Sequence, residues 1–169
     1  MTKKTKEYVC PECGSTKVEC EGGDAHICDE CYHEWLDPKP YGKFILVDGF
    51  AHKVSMIEGD GQYEFVKGAL DDVTIAVVSR YINGKEYDLW HDDDFNVKGL
   101  TDKAIACANA HEVLKGKVLI ANRMGSFTVP LTDKDISRIL ENLYVIELDD
   151  GEKMPAILYE FRKNELDEW

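Results

Sequence analysis

The stretch Cys10-Pro11-Glu12-Cys13, answered fourteen residues later by Cys28-Asp29-Glu30-Cys31, decides how the first part of the chain folds. Two Cys-x-x-Cys pairs at this separation have the spacing of a zinc site. Each Cys-x-x-Cys turn lets two thiolates point at one ion, and a second turn on an adjacent hairpin completes a tetrahedron of sulfurs. Gly14, just after the first pair, and Gly22-Gly23, between the pairs, supply the tight turns of such a ribbon. Four thiolates close the coordination shell, so one structural Zn2+ is expected on Cys10, Cys13, Cys28 and Cys31. The competing reading, two disulfides or a redox dithiol, is disfavoured by the paired spacing. Cys20 and His33 are spare candidate ligands: Cys20 reads as a strand residue of the ribbon, and the four-cysteine shell leaves His33, two residues after Cys31, no place at the metal.

Outward from the cysteines, residues 1–37 form the expected zinc ribbon, with a loose basic arm at 1–7 and strands near 17–19, 25–27 and 34–36. Pro38 and Pro40 cannot continue a ladder, so 38–41 reads as a linker. An α+β domain of mixed, mainly antiparallel sheet with two or three helices is expected over 42–163, and an acidic tail over 164–169. Residues 44–47 and 52–57 flank the Asp48-Gly49 turn as a hairpin, and 62–70 form a short helix. The β-branched run 74–82 and its return at 86–90 enclose Asn83-Gly84, the strongest hairpin signal present. Thr101 or Asp102 caps an expected Ala-rich helix with Ala104, Ile105, Ala108 and Leu114 on its apolar side, ending at Gly116. Strands 117–121 and 126–129 follow, then a helix opened by Thr132, with Ile136, Ile139, Leu140 and Leu143 sharing a face. A last hairpin, 145–148 with 154–161, turns at Asp149-Asp150-Gly151, and Pro155 marks an edge strand.

The formal net charge of −13 over 169 residues bears on partners. Five lysines face nine acidic residues within 1–40, so even the ribbon is acidic. Binding a phosphate backbone would work against this field, which favours a protein partner over nucleic acid. No apolar run is long enough to span a membrane, and no apolar segment follows the N-terminal lysines as in a signal peptide. A cytoplasmic location, where thiols stay reduced and available to metal, is expected.

Outside the cysteines, candidate chemistry is sparse. His91 with Asp92, Asp93 and Asp94 is the other cluster able to hold a cation or serve as acid and base. Adjacent residues of an extended segment point to opposite faces, so at most two of these carboxylates converge. Arg80, Lys115, Lys117 and Arg123 are the residues from which a basic patch would be built. Cys107 reads as a small buried hydrophobe, and His26, His52 and His111 fall in no ligand or nucleophile motif.

The run Cys28-Asp29-Glu30-Cys31-Tyr32-His33-Glu34-Trp35 resembles the close of the ribbon that heads PhnA-type proteins. That resemblance implies a ribbon and not an activity. Trp35 reads as the cover of the ribbon's small core, with a partner-binding role as the alternative. Beyond the linker, Val66-Lys67-Gly68, Gly99-Leu100, the strand 116–120 and Leu131-Thr132-Asp133 occur in an order similar to an uncharacterised domain found in phages, plasmids and bacterial mobile elements. That family usually carries Gly-Gly where this chain has Gly68-Ala69. The resemblance implies an accessory protein of a mobile element, in the bacterial host cytoplasm, rather than a chemistry. The expected function is non-enzymatic binding of a host protein, in one form as an acidic competitor of nucleic acid. The alternatives are a nucleic-acid-binding regulator using the ribbon and a metal-dependent hydrolase using His91 and its carboxylates.

Overall fold

The structure, a computed structural model, describes residues 8–22, 24–94, 103–107, 112–147, 151 and 153–157. The expected basic arm, the Gly99-Leu100 turn, the capping residues Thr101 and Asp102, and the acidic tail lie outside these residues. The chain divides into two compact units, Met1–Pro40 and Tyr41–Trp169. In the first unit, β1 (Val18–Gly22), β2 (Ala25–Cys28) and β3 (Glu34–Leu36) form an antiparallel sheet in sequence order.

The second unit contributes β4 (Gly42–Asp48), β5 (Lys53–Gly59), α1 (Tyr63–Ala69), β6 (Ile75–Ile82) and β7 (Lys85–Asp92). After these come β8 (Lys103–Cys107), β9 (Glu112–Lys115), β10 (Lys117–Met124), β11 (Phe127–Val129), α2 (Asp133–Glu141), β12 (Leu143–Glu147) and β13 (Lys153–Ile157). A central antiparallel sheet runs in the order β5-β4-β10-β7-β6, with β11 paired to β10, and a second sheet runs β12-β13-β8-β9. Among the described residues the protein is therefore mostly antiparallel sheet with two helices.

β10 lies in the middle of the central sheet and is buried on both sides from Val118 to Asn122, as its continuous apolar run requires. The period-2 alternation of a strand divides that run between two cores. Leu119 and Ala121 join Phe44, Val66 and Leu70 beneath α1, while Val118 and Ile120 join Ile45, Val47, Leu89, Ile136 and Ile139 beneath α2. The second sheet reaches the α2 core through Leu114 and Leu143. Asn83 and Gly84 both take positive φ, 46° and 76°, as a primed hairpin turn demands.

A buried polar cluster fastens α2 to the sheet. Asp135, in the first turn of α2, accepts hydrogen bonds from Lys85 Nζ (2.6 Å), Tyr87 Oη (2.8 Å), Asn122 Nδ2 (2.8 Å) and Thr132 Oγ1 (2.6 Å). Thr132 also caps the helix by accepting from the Asp135 N–H.

Three expectations are overturned, the smallest being that Leu143, expected on the face of the last helix, opens β12 after α2 has ended at Glu141. The segment expected as an Ala-rich helix from Thr101 to Leu114 contains β8 and β9 instead. β8 has a ladder on both sides, parallel to β13 and antiparallel to β9, and that pairing outweighs the helix propensity of the alanines, which Ile105 and Val113 dilute. Gly116, at φ +77°, links β9 to β10 rather than ending a helix. Pro155 does not mark an edge, because β13 lies between β12 and β8. The strand tolerates it there because its pairing with β8 begins at Ala156, so no ladder to β8 asks for the missing N–H.

Candidate metal centre

The four cysteines sit on two similar turns. In the first, the Cys10 N–H donates to the Ser15 carbonyl (2.8 Å) and the Gly14 N–H donates back to the Cys10 carbonyl (3.0 Å). In the second, the Cys28 N–H donates to the His33 carbonyl (3.0 Å) and the Tyr32 N–H to the Cys28 carbonyl (2.8 Å). The residue after the second cysteine of each pair must turn left-handed. Gly14 does so at φ +75° without strain, whereas Tyr32 does so at φ +59° with a full side chain that is 76% exposed.

These turns bring the Sγ atoms of Cys10, Cys13, Cys28 and Cys31 within 4.8 Å of one another, and among the described residues this is the one group placed to hold a metal ion. Cys10 and Cys31 are 3.6 Å apart and Cys13 and Cys28 3.5 Å apart, with every thiol free. A tetrahedral ion bonded to sulfur at about 2.3 Å holds its sulfurs about 3.8 Å apart, so the cluster has the dimensions of a zinc-sized shell. Cys10 and Cys28 are buried and Cys13 and Cys31 exposed.

The thiols do not ionise alike. Burial raises the Cys28 pKa, but backbone N–H groups of Cys31 and Glu30 outweigh it and bring the thiol down to about 7. At Cys31 the His33 N–H pulls down, while burial and the neighbouring thiols push the pKa up to about 12. The Cys28 thiol therefore ionises more readily than that of Cys31. A divalent cation bound by these cysteines would hold them as thiolates, and its binding would release protons.

Trp35 packs with Cys10 and Cys28 as the floor of the centre, joined by Tyr8 and Val18. The buried His26 ring lies between Tyr8 (3.9 Å between centroids) and Trp35 (5.5 Å), and His33 stacks on Trp35 (5.9 Å, 17°). Neither histidine belongs to the thiol cluster. Cys20 is a strand residue of β1, and its Sγ lies 3.2 Å from His26 Nδ1 across the β1–β2 ladder. That contact is set by register, which sequence spacing alone does not supply.

The other sequence candidates disperse. On β7, His91 pairs with Val118 and so lies on the α2 side, while Asp92 pairs with Ile75 on the α1 side. Asp92 Oδ1 accepts the Asp94 N–H (2.9 Å), a turn contact. The cations do not form one patch. Arg80 and Arg123 lie on opposite faces of the central sheet, and Lys115 belongs to the second sheet. Arg123 grips the buried Asp88 through Nε (3.0 Å) and Nη2 (2.6 Å), and Lys117 donates to Asp71 (2.8 Å). Cys107 is on β8 rather than a helix, His52 occupies the β4–β5 turn, and His111 lies outside the described residues. No helix among the described residues is long and apolar enough to cross a membrane.

No family model, no curated protein and no solved structure matches this chain.

Proposed function

We propose that this protein is a zinc-organised, non-enzymatic accessory protein of a phage or mobile element, and that it acts by binding a protein of its bacterial host. The observation that carries the reading is the closed set of four cysteine thiols. A zinc ion held by all four has no open position for substrate or water, so its role is to fold the ribbon. Cys10, Cys13, Cys28 and Cys31 would hold it. The resemblance of the ribbon's close to PhnA-type proteins, and of the second unit to a mobile-element domain, supplies the setting.

Charge supports a protein target over nucleic acid. The chain carries −13, and Arg123, Lys117 and Lys85 are engaged by Asp88, Asp71 and Asp135. Cations already committed to carboxylates contribute little to counterion release from a phosphate backbone. At the ribbon, Tyr32 is the natural contact residue. It presents a large aromatic ring to solvent from a backbone conformation that glycine would adopt more cheaply, and strain of this kind persists where function retains it.

The test is capture of partners from bacterial lysate with the intact zinc-loaded chain and with Tyr32→Gly, each with and without nuclease. A protein retained after nuclease by the wild type and lost with Tyr32→Gly is the expected result. Partners that vanish with nuclease, with binding that weakens steeply in salt, would replace this reading with a nucleic-acid regulator.

A further inference from the structure

β12 closes one end of the second sheet, and Pro155 on its neighbour β13 fixes which way its backbone points. Residues opposite each other in an antiparallel pair alternate between exchanging hydrogen bonds and turning their N–H and C=O groups away from one another. Val145 stands opposite Pro155, which has no N–H to exchange, so the bonded pairs are Tyr144 with Ala156 and Ile146 with Met154. The N–H and C=O groups of Leu143, Val145 and Glu147 therefore point outward from the sheet's edge, and they meet no partner among the described residues. Val145 is 73% exposed and Tyr144 46%, so this open backbone lies among apolar side chains. Sheet edges are commonly guarded by lysine, proline or a bulge. The other terminal strands of the second unit's two sheets, β5, β6 and β9, carry Lys53, Arg80 and Lys115, whereas β12 has no cation, no proline and no bulge.

We propose that β12 is a docking edge for an extended segment of a partner protein, apolar at its centre and flanked by lysine or arginine, which joins the sheet as a further strand. The inference rests on the reading of this protein as a binder of a host protein, and it names the form of that contact. Main-chain hydrogen bonds to Leu143, Val145 and Glu147 hold the segment, as in other strand additions. Its centre packs against Tyr144 and Val145, because aromatic and β-branched residues make favourable cross-strand pairs. Charge sets its flanks. From Glu141 to Lys153 the chain carries five carboxylates, Glu141, Glu147, Asp149, Asp150 and Glu152, against the single cation of Lys153. A basic-flanked segment complements that balance. A second copy of this chain would bring the same five carboxylates and a further net charge of −13, so self-pairing at this edge is opposed.

The probe is a labelled peptide with two lysines on each side of a Val-Thr-Ile-Thr-Val core, and its control carries glutamates in their place. Titrated into the intact zinc-loaded chain, the lysine-flanked peptide should bind to saturation and slow hydrogen exchange at the Val145 amide. It should bind about tenfold tighter than the control, by a margin that shrinks as salt rises. Val145→Pro removes an outward N–H and leaves the β13 ladder alone, so it should abolish binding while the Ala156 amide stays protected from exchange. Val145→Lys keeps the backbone whole and sets a cation against the probe, so it should weaken binding several-fold; it decides alone if the proline variant loses the Ala156 protection. No saturable binding, equal affinity for the two peptides, or wild-type affinity in Val145→Lys would each overturn the proposal. So would a mass for the chain alone that rises with concentration and falls back in Val145→Lys, which would put a second copy on the edge. Lysate capture tells the two possible failures apart. A host protein retained after nuclease equally by wild type and Val145→Lys sinks the β12 assignment and leaves the host-protein reading standing, and peptide binding with no captured protein does the reverse.

Discussion

Asp135 shows how much one side chain can be asked to hold. Burial alone would raise its pKa, yet the donors Lys85, Thr132, Asn122 and Tyr87 hold it well below the usual carboxylate range. Its stabilising contribution is therefore complete above the unfolded value of about 3.9 and is lost as pH falls below it. Tyr87 works in the opposite sense. Burial, with the Asp135 carboxylate as its acceptor, pushes its pKa up to about 12, so its contribution is complete below about 10 and is lost as pH rises from there. Asp135→Asn should cost on the order of 3 kcal/mol in urea unfolding followed at the β10 amides, since it removes a buried charge shared by four donors, of which Tyr87 and Asn122 are themselves buried. Tyr87→Phe should flatten the loss of stability between about pH 10 and 12 while leaving the acid limb in place. A Tyr87→Phe protein that still loses stability across that alkaline range would place the titrating group elsewhere.

At the scale of elements, turns and caps were readable where one residue type satisfies a backbone demand, and strands misread as helix were not. Asn83-Gly84 specified its hairpin because both residues accept positive φ. Thr132 specified the start of α2 because its hydroxyl reaches the Asp135 N–H. The segment of β8 and β9 carried a misleading signal, since its alanines favour helix while the deciding partners, β13 and each other, are distant in sequence or set by the fold. Gly61 lies between these cases, visible as a glycine but not as a contact. Gly61→Ala should destabilise the second unit by at least about 2 kcal/mol. It adds left-handed strain of about 1–2 kcal/mol to a Cβ placed 2.3 Å from the Thr128 carbonyl oxygen, which is backbone and cannot swing away. Thermal unfolding of the two proteins, compared at equal zinc, measures it.

For the whole molecule, the consequence of two compact units with separate cores is separable stability. The core of the first unit is small, built on Cys10, Cys28 and Trp35, and a core of that size supplies little stability by itself. Zinc supplies folding free energy of about 10 kcal/mol or more at neutral pH to modules of this kind. Chelation should release the amides of β1–β3 to rapid hydrogen exchange and leave those of β10 protected. Loss of both in one cooperative transition would show that the units fold as one and that 38–41 is no linker. The sequence by itself determined which four cysteines come together, because the geometry of a metal site constrains residue type and spacing so tightly that few alternatives remain. It also determined the acidic balance and the turns whose backbone angles only certain residues accept. Tertiary structure alone decided that β8 and β9 are strands, that His91 and Asp92 part to opposite faces, and that β12 lies at the edge of its sheet. Those outcomes depend on which strands become neighbours, and pairing between distant segments is written in no local stretch of the chain.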